Sequence, residues 1–375
     1  MRITNIAIYP VSIPFRQPFG HALHWRDKAD TIILCISCDS GQKGWGEILP
    51  RSYLGGGTID KVLSRDLPEL FGSWRGRTFE SGDQVVAALR EERHTGSYSL
   101  AACAGWELAV LDLAGKAFGF AAGDILGSVV GPEVEAGVVI GFDIPTEKLE
   151  KHCLLLRLTG RRHIKVKVGR CDDLRRLQIV SATLGPAVPI RVDANGAWSV
   201  DEAISQLRQM QRWNVRSVEQ PVAAHNLDGM RNVREKTGMT VVADESLCSF
   251  LDACSIIQAR AADVFNIRIA KCGGFLASLD LVILARDSGL CCQLGTLVGE
   301  TGILSRASEI FAERVAGFCF LEGKGQNRRL LVEDIVEDPG AHGIYGLGIT
   351  VAENSLARWA ASTSTTLAGV QGVAT

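Results

Sequence analysis

From residue 134 onward, short apolar runs alternate with amphipathic stretches, and this alternation limits the possible fold more than any other feature of the chain. The runs read EAGVVIG, HIKVKVG, PIRVDAN, SVEQP, TVVADES, DVFNIRIA, GLCCQLG and FCFLEG. Between them lie segments of helical character, among them DDLRRLQIVSATLG, VDEAISQLRQMQRW and LASLDLVILARDSG. Strand alternating with helix builds βα units, and successive βα units build a parallel sheet. Eight such runs predict an α/β fold of the modified (β/α)8 TIM-type barrel kind over residues 131–325, with an irregular final helix. A doubly wound open sheet is the rival arrangement, and the lack of a nucleotide-binding fingerprint after the first run counts against it.

Residues 1–130 follow another regime. Strand-like stretches (ITNIAIYPVSI, TIILCISCDS, KGWGEIL) give way to a helical region ending in SLAACAGWELAVLDLAGKAFG, where Trp106, Val110, Leu113 and Ala114 recur at helical spacing. This predicts an α+β domain, a meander followed by helices. After residue 360 the sequence ASTSTTLAGVQGVAT predicts a disordered tail over 361–375.

Composition narrows the function classes. Forty basic and 42 acidic side chains are spread along the chain with no basic block, which argues against nucleic acid as a partner. No apolar run approaches the ~18 residues of a membrane span, and the N-terminus lacks a signal peptide's apolar core. Eleven scattered cysteines fit reduced thiols rather than a disulfide framework. The expectation is a cytoplasmic protein acting on a small molecule, without membrane contact.

Within HIKVKVG, Lys165 and Lys167 stand two apart, so on a strand they project to the same side, about 6.6 Å from each other. On an antiparallel strand that would be a solvent face. In a parallel barrel helices cover the outside, so both lysines are expected to point inward, near the C-terminal mouth where such barrels carry their chemistry.

The strand ends carry a second pattern. RVDAN supplies Asp193 and Asn195, VEQP supplies Glu219, and VADES supplies Asp244 and Glu245. Asp193 and Glu219 are 26 residues apart and Glu219 and Asp244 are 25 apart, one βα unit each. Three acids at one end of three successive strands repel one another unless a cation lies between them, and an all-oxygen set favours Mg²⁺ first and Mn²⁺ second. Twenty-seven residues after Asp244, NIRIAKCGG places Lys271 at the end of the next strand. Lysines therefore flank the acids on both sides, and neighbouring positive charge is expected to lower a lysine pKa enough to make a base. A divalent ion and a positioned lysine together stabilise the enolate of a carboxylate, so the expected chemistry is enolisation with Lys167 or Lys271 as base. A Schiff-base aldolase and a non-catalytic binding barrel are the readings from other classes.

These motifs together resemble the enolase superfamily, in particular its muconate-lactonizing (muconate cycloisomerase) subgroup. The resemblance rests on K-x-K at Lys165/Lys167, D-x-N at Asp193/Asn195, E-Q-P at Glu219, D-E-S at Asp244/Glu245, the lysine before Gly-Gly at Lys271, and DLAGK in the long helix. It implies that residues 1–130 cap the barrel and that 326–360 return to the cap. It further implies that Asp193, Glu219 and Asp244 bind the metal, that Lys167 and Lys271 form the acid/base pair, and that Lys165 tunes Lys167 and touches the substrate carboxylate. Asn195 and Glu245 would orient the ligands, and Arg268 stands where many relatives have lysine. The subgroup includes cycloisomerases, dipeptide epimerases, N-acylamino acid racemases and o-succinylbenzoate synthases; a muconate-type cycloisomerase ranks first here, a racemase or epimerase next, and a synthase or acid-sugar dehydratase after them. His24 and Tyr53 in the cap loops, Glu300 in LGTLVGETG and Glu322 in FLEGKG are the expected substrate contacts. A homo-oligomer is expected by the same resemblance.

Overall fold

The computed structural model describes residues 1–20, 25–95, 98–128, 135–322, 326–337, 344–361 and 365–368. Eight short strands, β4 (Val138–Ile140), β5 (Ile164–Lys167), β6 (Ile190–Asp193), β7 (Val215–Glu219), β8 (Thr240–Ala243), β9 (Val264–Ile267), β10 (Cys291–Leu294) and β11 (Phe318–Leu321), form one parallel sheet in sequence order. A parallel bridge between Ala136 and Leu321, with the Gly137 N–H donated to the Leu321 carbonyl at 2.7 Å, joins the last strand to the first and closes the barrel. Helices follow most of the strands and bury their apolar stripes on the barrel, as Leu177, Val180 and Leu184 do on the helix Asp173–Leu184. The four residues of β5 are all buried, lysines included, because the outer face is covered by helices and the inner face fills the barrel.

Before the barrel, β1 (Ile3–Gly20), β2 (Trp25–Cys38) and β3 (Lys43–Ile48) form an antiparallel meander. The helix Leu100–Phe118 packs against it, burying Trp106, Val110, Leu113 and Ala114. The approach is close enough to require glycine: a Cβ at Gly44 would lie 2.2 Å from the Ala109 carbonyl oxygen, and one at Gly46 2.0 Å from that of Gly105. The tail expected to be disordered contributes a fourth strand, β12 (Thr365–Ala368), antiparallel to β1. A free β1 edge and two β-branched threonines supply what composition alone did not show. The C-terminal segment touches the same sheet through bridges Phe15–Leu331 and Val11–Ala360.

Buried carboxylates tie this sheet and its helix to the rest of the chain. Glu47 accepts from the Thr301 N–H, the Thr301 hydroxyl at 2.7 Å and the Leu304 N–H at 3.1 Å, so it caps the helix Gly302–Arg314. Glu107 accepts from the Phe275 and Leu276 N–H groups at the start of the helix Phe275–Asp287. Asp112 accepts from the Trp45 and Leu347 N–H groups, each at 2.9 Å. Among the described residues no helix is long and apolar enough to cross a membrane, and all eleven cysteines are unpaired.

Candidate active site at the barrel mouth

Lys165 and Lys167 both point into the barrel. The Lys165 ammonium lies 3.0 Å from each Glu219 oxygen, 2.7 Å from Glu322 Oε2 and 3.2 Å from Asp193 Oδ2. Lys167 donates to Asp193 Oδ2 and Asn195 Oδ1, both at 2.7 Å. Register explains the pairing, since Lys167 is opposite Asp193 and Asp193 is opposite Glu219. Asp244 lies just past the end of β8, whose Val242 is the partner of Glu219.

Arg268 and Lys271 reach this group from the end of β9. Arg268 Nη2 makes a very close contact to Asp244 Oδ2 and lies 3.5 Å from Glu219 Oε1. Lys271 donates to the Asp244 carbonyl at 2.6 Å, to Asp244 Oδ1 at 2.9 Å and to the Asn266 carbonyl at 3.0 Å. Its three N–H bonds are all engaged. Asn195 adopts a positive φ of 47°, tolerated by its short polar side chain, and donates to Glu245 Oε1 at 2.9 Å.

A cavity opens above this network. Lys165, Lys167, Asn195, Glu245, Arg268 and Glu322 form its floor, and Phe19, Arg26 and Tyr53 close it from the meander side. Lys271 is not in its wall. Glu300 is not either: Thr296, Leu297 and Val298 face the cavity, while Glu300 turns back to accept from the Leu297 N–H at 2.6 Å. Burial pushes its carboxyl up to about 8. In this structure Glu300, an expected substrate contact, braces its own loop instead of lining the cavity. Glu322 does line the cavity, but its carboxylate is held by Lys165 and, at 3.0 Å, by Arg191. His24 lies outside the described residues. Next to it, the Trp25 ring stands 5.4 Å from the Arg170 guanidinium, which also sits 4.0 Å from the Phe142 ring, linking the β1–β2 hairpin to the loop after β5.

Carboxylates dominate the electrostatics of two of the buried lysines. Burial disfavours the charge on Lys165, but Glu219, Glu322 and Asp193 outweigh it and raise its pKa above the usual lysine value. Lys271 is likewise raised, with Asp244 overcoming burial. Asp193 is held below the usual carboxylate range because Lys167 and Lys165 overcome its burial, and Asp244 is lowered in the same way by Arg268 and Lys271. Glu245, buried beside Asp244 and Asp193, is pushed up to about 7.

Several participants carry no motif. Asn266 and Gln293 donate to the two oxygens of Glu219 at 3.0 and 2.8 Å, and Arg191 donates to Gln293 at 2.6 Å. Gln220, by contrast, is the middle residue of E-Q-P; with φ of 38° it accepts from the Asp244 and Ser246 N–H groups and so sets the loop that carries Asp244. The signal for the first three is a polar residue inside an otherwise apolar buried strand.

The carboxylates Asp193, Glu219 and Asp244 fit a hard divalent ion in donor chemistry, and Glu245 Oε2 beside them is a buried acceptor without a hydrogen-bond partner. In the described arrangement, Lys165 and Arg268 stand between these carboxylates. Among the described residues no three acidic, His or Cys side chains meet closely enough to hold an ion. The donor chemistry fits such an ion, while in this arrangement the carboxylates are paired with Lys165 and Arg268.

Comparison with known proteins follows this geometry. The model of the family described as enolase C-terminal domain-like matches residues 148–354. The L-Ala-D/L-Glu epimerase of Bacillus subtilis is 29% identical over 317 residues, covering 83% of this chain and 85% of that protein. Among solved structures, the N-succinyl Arg/Lys racemase of Bacillus cereus superposes with a TM-score of 0.87 at 25% identity over 98% of this chain and 100% of the other. The muconate lactonizing enzyme of Pseudomonas fluorescens, complexed with muconolactone, gives 0.86 at 25% identity over 96% and 99%.

Proposed function

The chain belongs to the enolase C-terminal domain-like family, and from that premise we propose that it is an isomerase of a small carboxylate, abstracting or delivering a proton at the neighbouring carbon with Lys167. Its reaction is the cycloisomerisation of an unsaturated dicarboxylate, in which ring closure forms the enolate and Lys167 protonates it, while ring opening of the lactone runs the same step in reverse. One observation carries this reading. Lys167 is a base candidate in the cavity wall, whereas Lys271 is enclosed with all three N–H bonds taken. Cycloisomerisation needs a proton-transfer group on one face only, a donor for ring closure and an acceptor for ring opening; racemisation needs one on each face.

The chain's own residues divide the work. Lys165 and Arg268 give the cavity floor a positive edge for the substrate carboxylate. Lys167, held by Asp193 and Asn195, has its ammonium aimed by two acceptors, and in the ring-closing direction that ammonium supplies the proton the enolate takes up. Phe19 and Tyr53 cover the cavity and keep water from the carbanion. Asp193, Glu219 and Asp244 would hold Mg²⁺, with Mn²⁺ as substitute, and such an ion supplies the charge that offsets the second negative charge of an enolate. Glu322 lines the cavity with its carboxylate paired to Lys165 and Arg191, so a substrate ammonium there would share it with two cations already present. The unpaired cysteines suit a cytoplasmic setting.

A second reading, racemisation of an N-acylamino acid, draws on Lys271 itself, which reaches Asp244 from the end of β9 while Lys167 reaches Asp193 from β5. The two separate in one experiment: incubation in D₂O with Mg²⁺ and a panel of muconolactones, N-acylamino acids and dipeptides, read by mass spectrometry. Deuterium entering a lactone, with ring-opened diacid formed, is the expected outcome. Deuterium at the α-carbon of an N-acylamino acid, lost in Lys167→Ala, moves the assignment to a racemase.

A further inference from the structure

Three features coincide at Arg268. Its Nη2 spans Asp244 and Glu219, its Nε is buried without a partner, and the side chain forms part of the cavity wall. The residue thus touches the carboxylates below and the ligand space above, with its buried Nε donor unused. The surrounding charge is matched one for one when all groups are ionised: Asp193, Glu219, Asp244, Glu245 and Glu322 against Lys165, Lys167, Arg191, Arg268 and Lys271. A divalent ion entering such a buried set leaves two positive charges without partners, which is costly at low dielectric. The cost is removed if a cationic side chain leaves the carboxylates and a negatively charged ligand arrives to meet it.

We propose that Arg268 is a displaceable internal cation: at rest its guanidinium fills the space between Glu219 and Asp244, and an anionic ligand in the cavity draws it upward, so that divalent ion and carboxylate ligand bind cooperatively. The guanidinium suits the part because it stays charged wherever it moves and presents several donors in one plane to a carboxylate. A lysine at this position would bring a single ammonium and fewer donors to exchange between the two sites. Arg268 is here a positioning residue for ion and substrate. The inference rests on the metal-dependent reading above, and the test separates the two.

The probe is Mn²⁺ itself, titrated into the purified chain and followed by the electron paramagnetic resonance of the free ion, with and without saturating succinate as a dicarboxylate ligand. Wild type is expected to bind Mn²⁺ at least tenfold more tightly with succinate than without, and succinate to bind correspondingly better with Mn²⁺, since coupling is reciprocal. Arg268→Met is expected to bind Mn²⁺ at least tenfold more tightly than wild type without succinate and to lose the succinate effect. Arg268→Lys, the milder change, should fall between them, and circular dichroism verifies that each variant is folded. Equal Mn²⁺ affinity in wild type, Arg268→Lys and Arg268→Met, with Asp244→Asn still weakening it, overturns the role of Arg268 and leaves the metal site standing. Mn²⁺ binding that is insensitive to both Arg268→Met and Asp244→Asn removes the metal reading and this inference with it.

Discussion

The molecule buries carboxylates in two places and treats them in opposite ways. At the junction between the N-terminal sheet and the barrel, Glu47 and Glu107 accept from backbone N–H groups at helix starts, with no ion pair to either among the described residues. Burial pushes both up to about 7. At the barrel mouth, Asp193 and Asp244 face ammonium and guanidinium groups that overcome burial and hold them low. Neutral dipoles stabilise an interface whatever else is bound. Charged partners create a site whose balance changes when a ligand's charge arrives. The first arrangement fastens the structure, and the second keeps it responsive.

Changes at the mouth should therefore abolish chemistry and spare folding, and changes at the junction the reverse. The largest effect is expected for Lys167→Ala: deuterium incorporation should fall by about 10²–10⁴-fold, while Asp193 keeps Lys165 and the melting temperature stays near that of wild type. A large loss of stability instead would make Lys167 part of the framework. Glu47→Ala leaves the donors of Thr301 and Leu304 buried without an acceptor and should cost about 3 kcal/mol in chemical denaturation, with turnover per folded molecule little changed. Gly46→Ala drives a Cβ into the Gly105 carbonyl and should cost about 2 kcal/mol; a neutral result would show that the sheet can slide on its helix.

The pH response sharpens the contrast further. Because the folded pKa of Glu47 and Glu107 is raised from 4.5 to about 7, the stability they contribute is complete below about pH 4.5 and is lost as pH climbs to about 7. For Asp193 and Asp244 the sign is opposite: their contribution is present above the usual carboxylate range and vanishes as pH falls below it. Glu47→Gln should flatten the decline between pH 5 and 7 by up to about 1.4 kcal/mol per pH unit; an unaltered slope would mean that other groups dominate it. The smallest effect is expected at the hairpin, where Trp25→Ala removes one face of the Arg170 stack, worth about 0.5–1 kcal/mol. KM should rise a few-fold with kcat held.

Much of this site was legible because periodicity is geometry. Acids one βα unit apart can only meet at one rim of a barrel, and two lysines in a strand covered on its outer face can only turn inward. What stayed hidden depended on partners distant in sequence. Asn266, Gln293 and Arg191 look like interruptions of apolar strands until Glu219 is seen between them. The raised pKa of Lys165 follows from the carboxylates that surround it, and no local reading of K-x-K can add them up. Glu300 appears in a promising loop, yet its oxygen returns to that loop's own backbone. The strand Thr365–Ala368 reads as a polar tail because its partner, β1, begins the chain.

The Glu47 fastening also sets a timetable for the growing chain. Its donor Thr301 is 254 positions further on, and at roughly 5–20 residues per second a ribosome needs some 13–50 s to cover that stretch. Throughout that interval the buried face of the N-terminal meander, finished first, has neither its helix-start donors nor its last strand. The fastening between sheet and barrel can therefore form only once residue 301 has emerged, long after the meander and its covering helix Leu100–Phe118 are made.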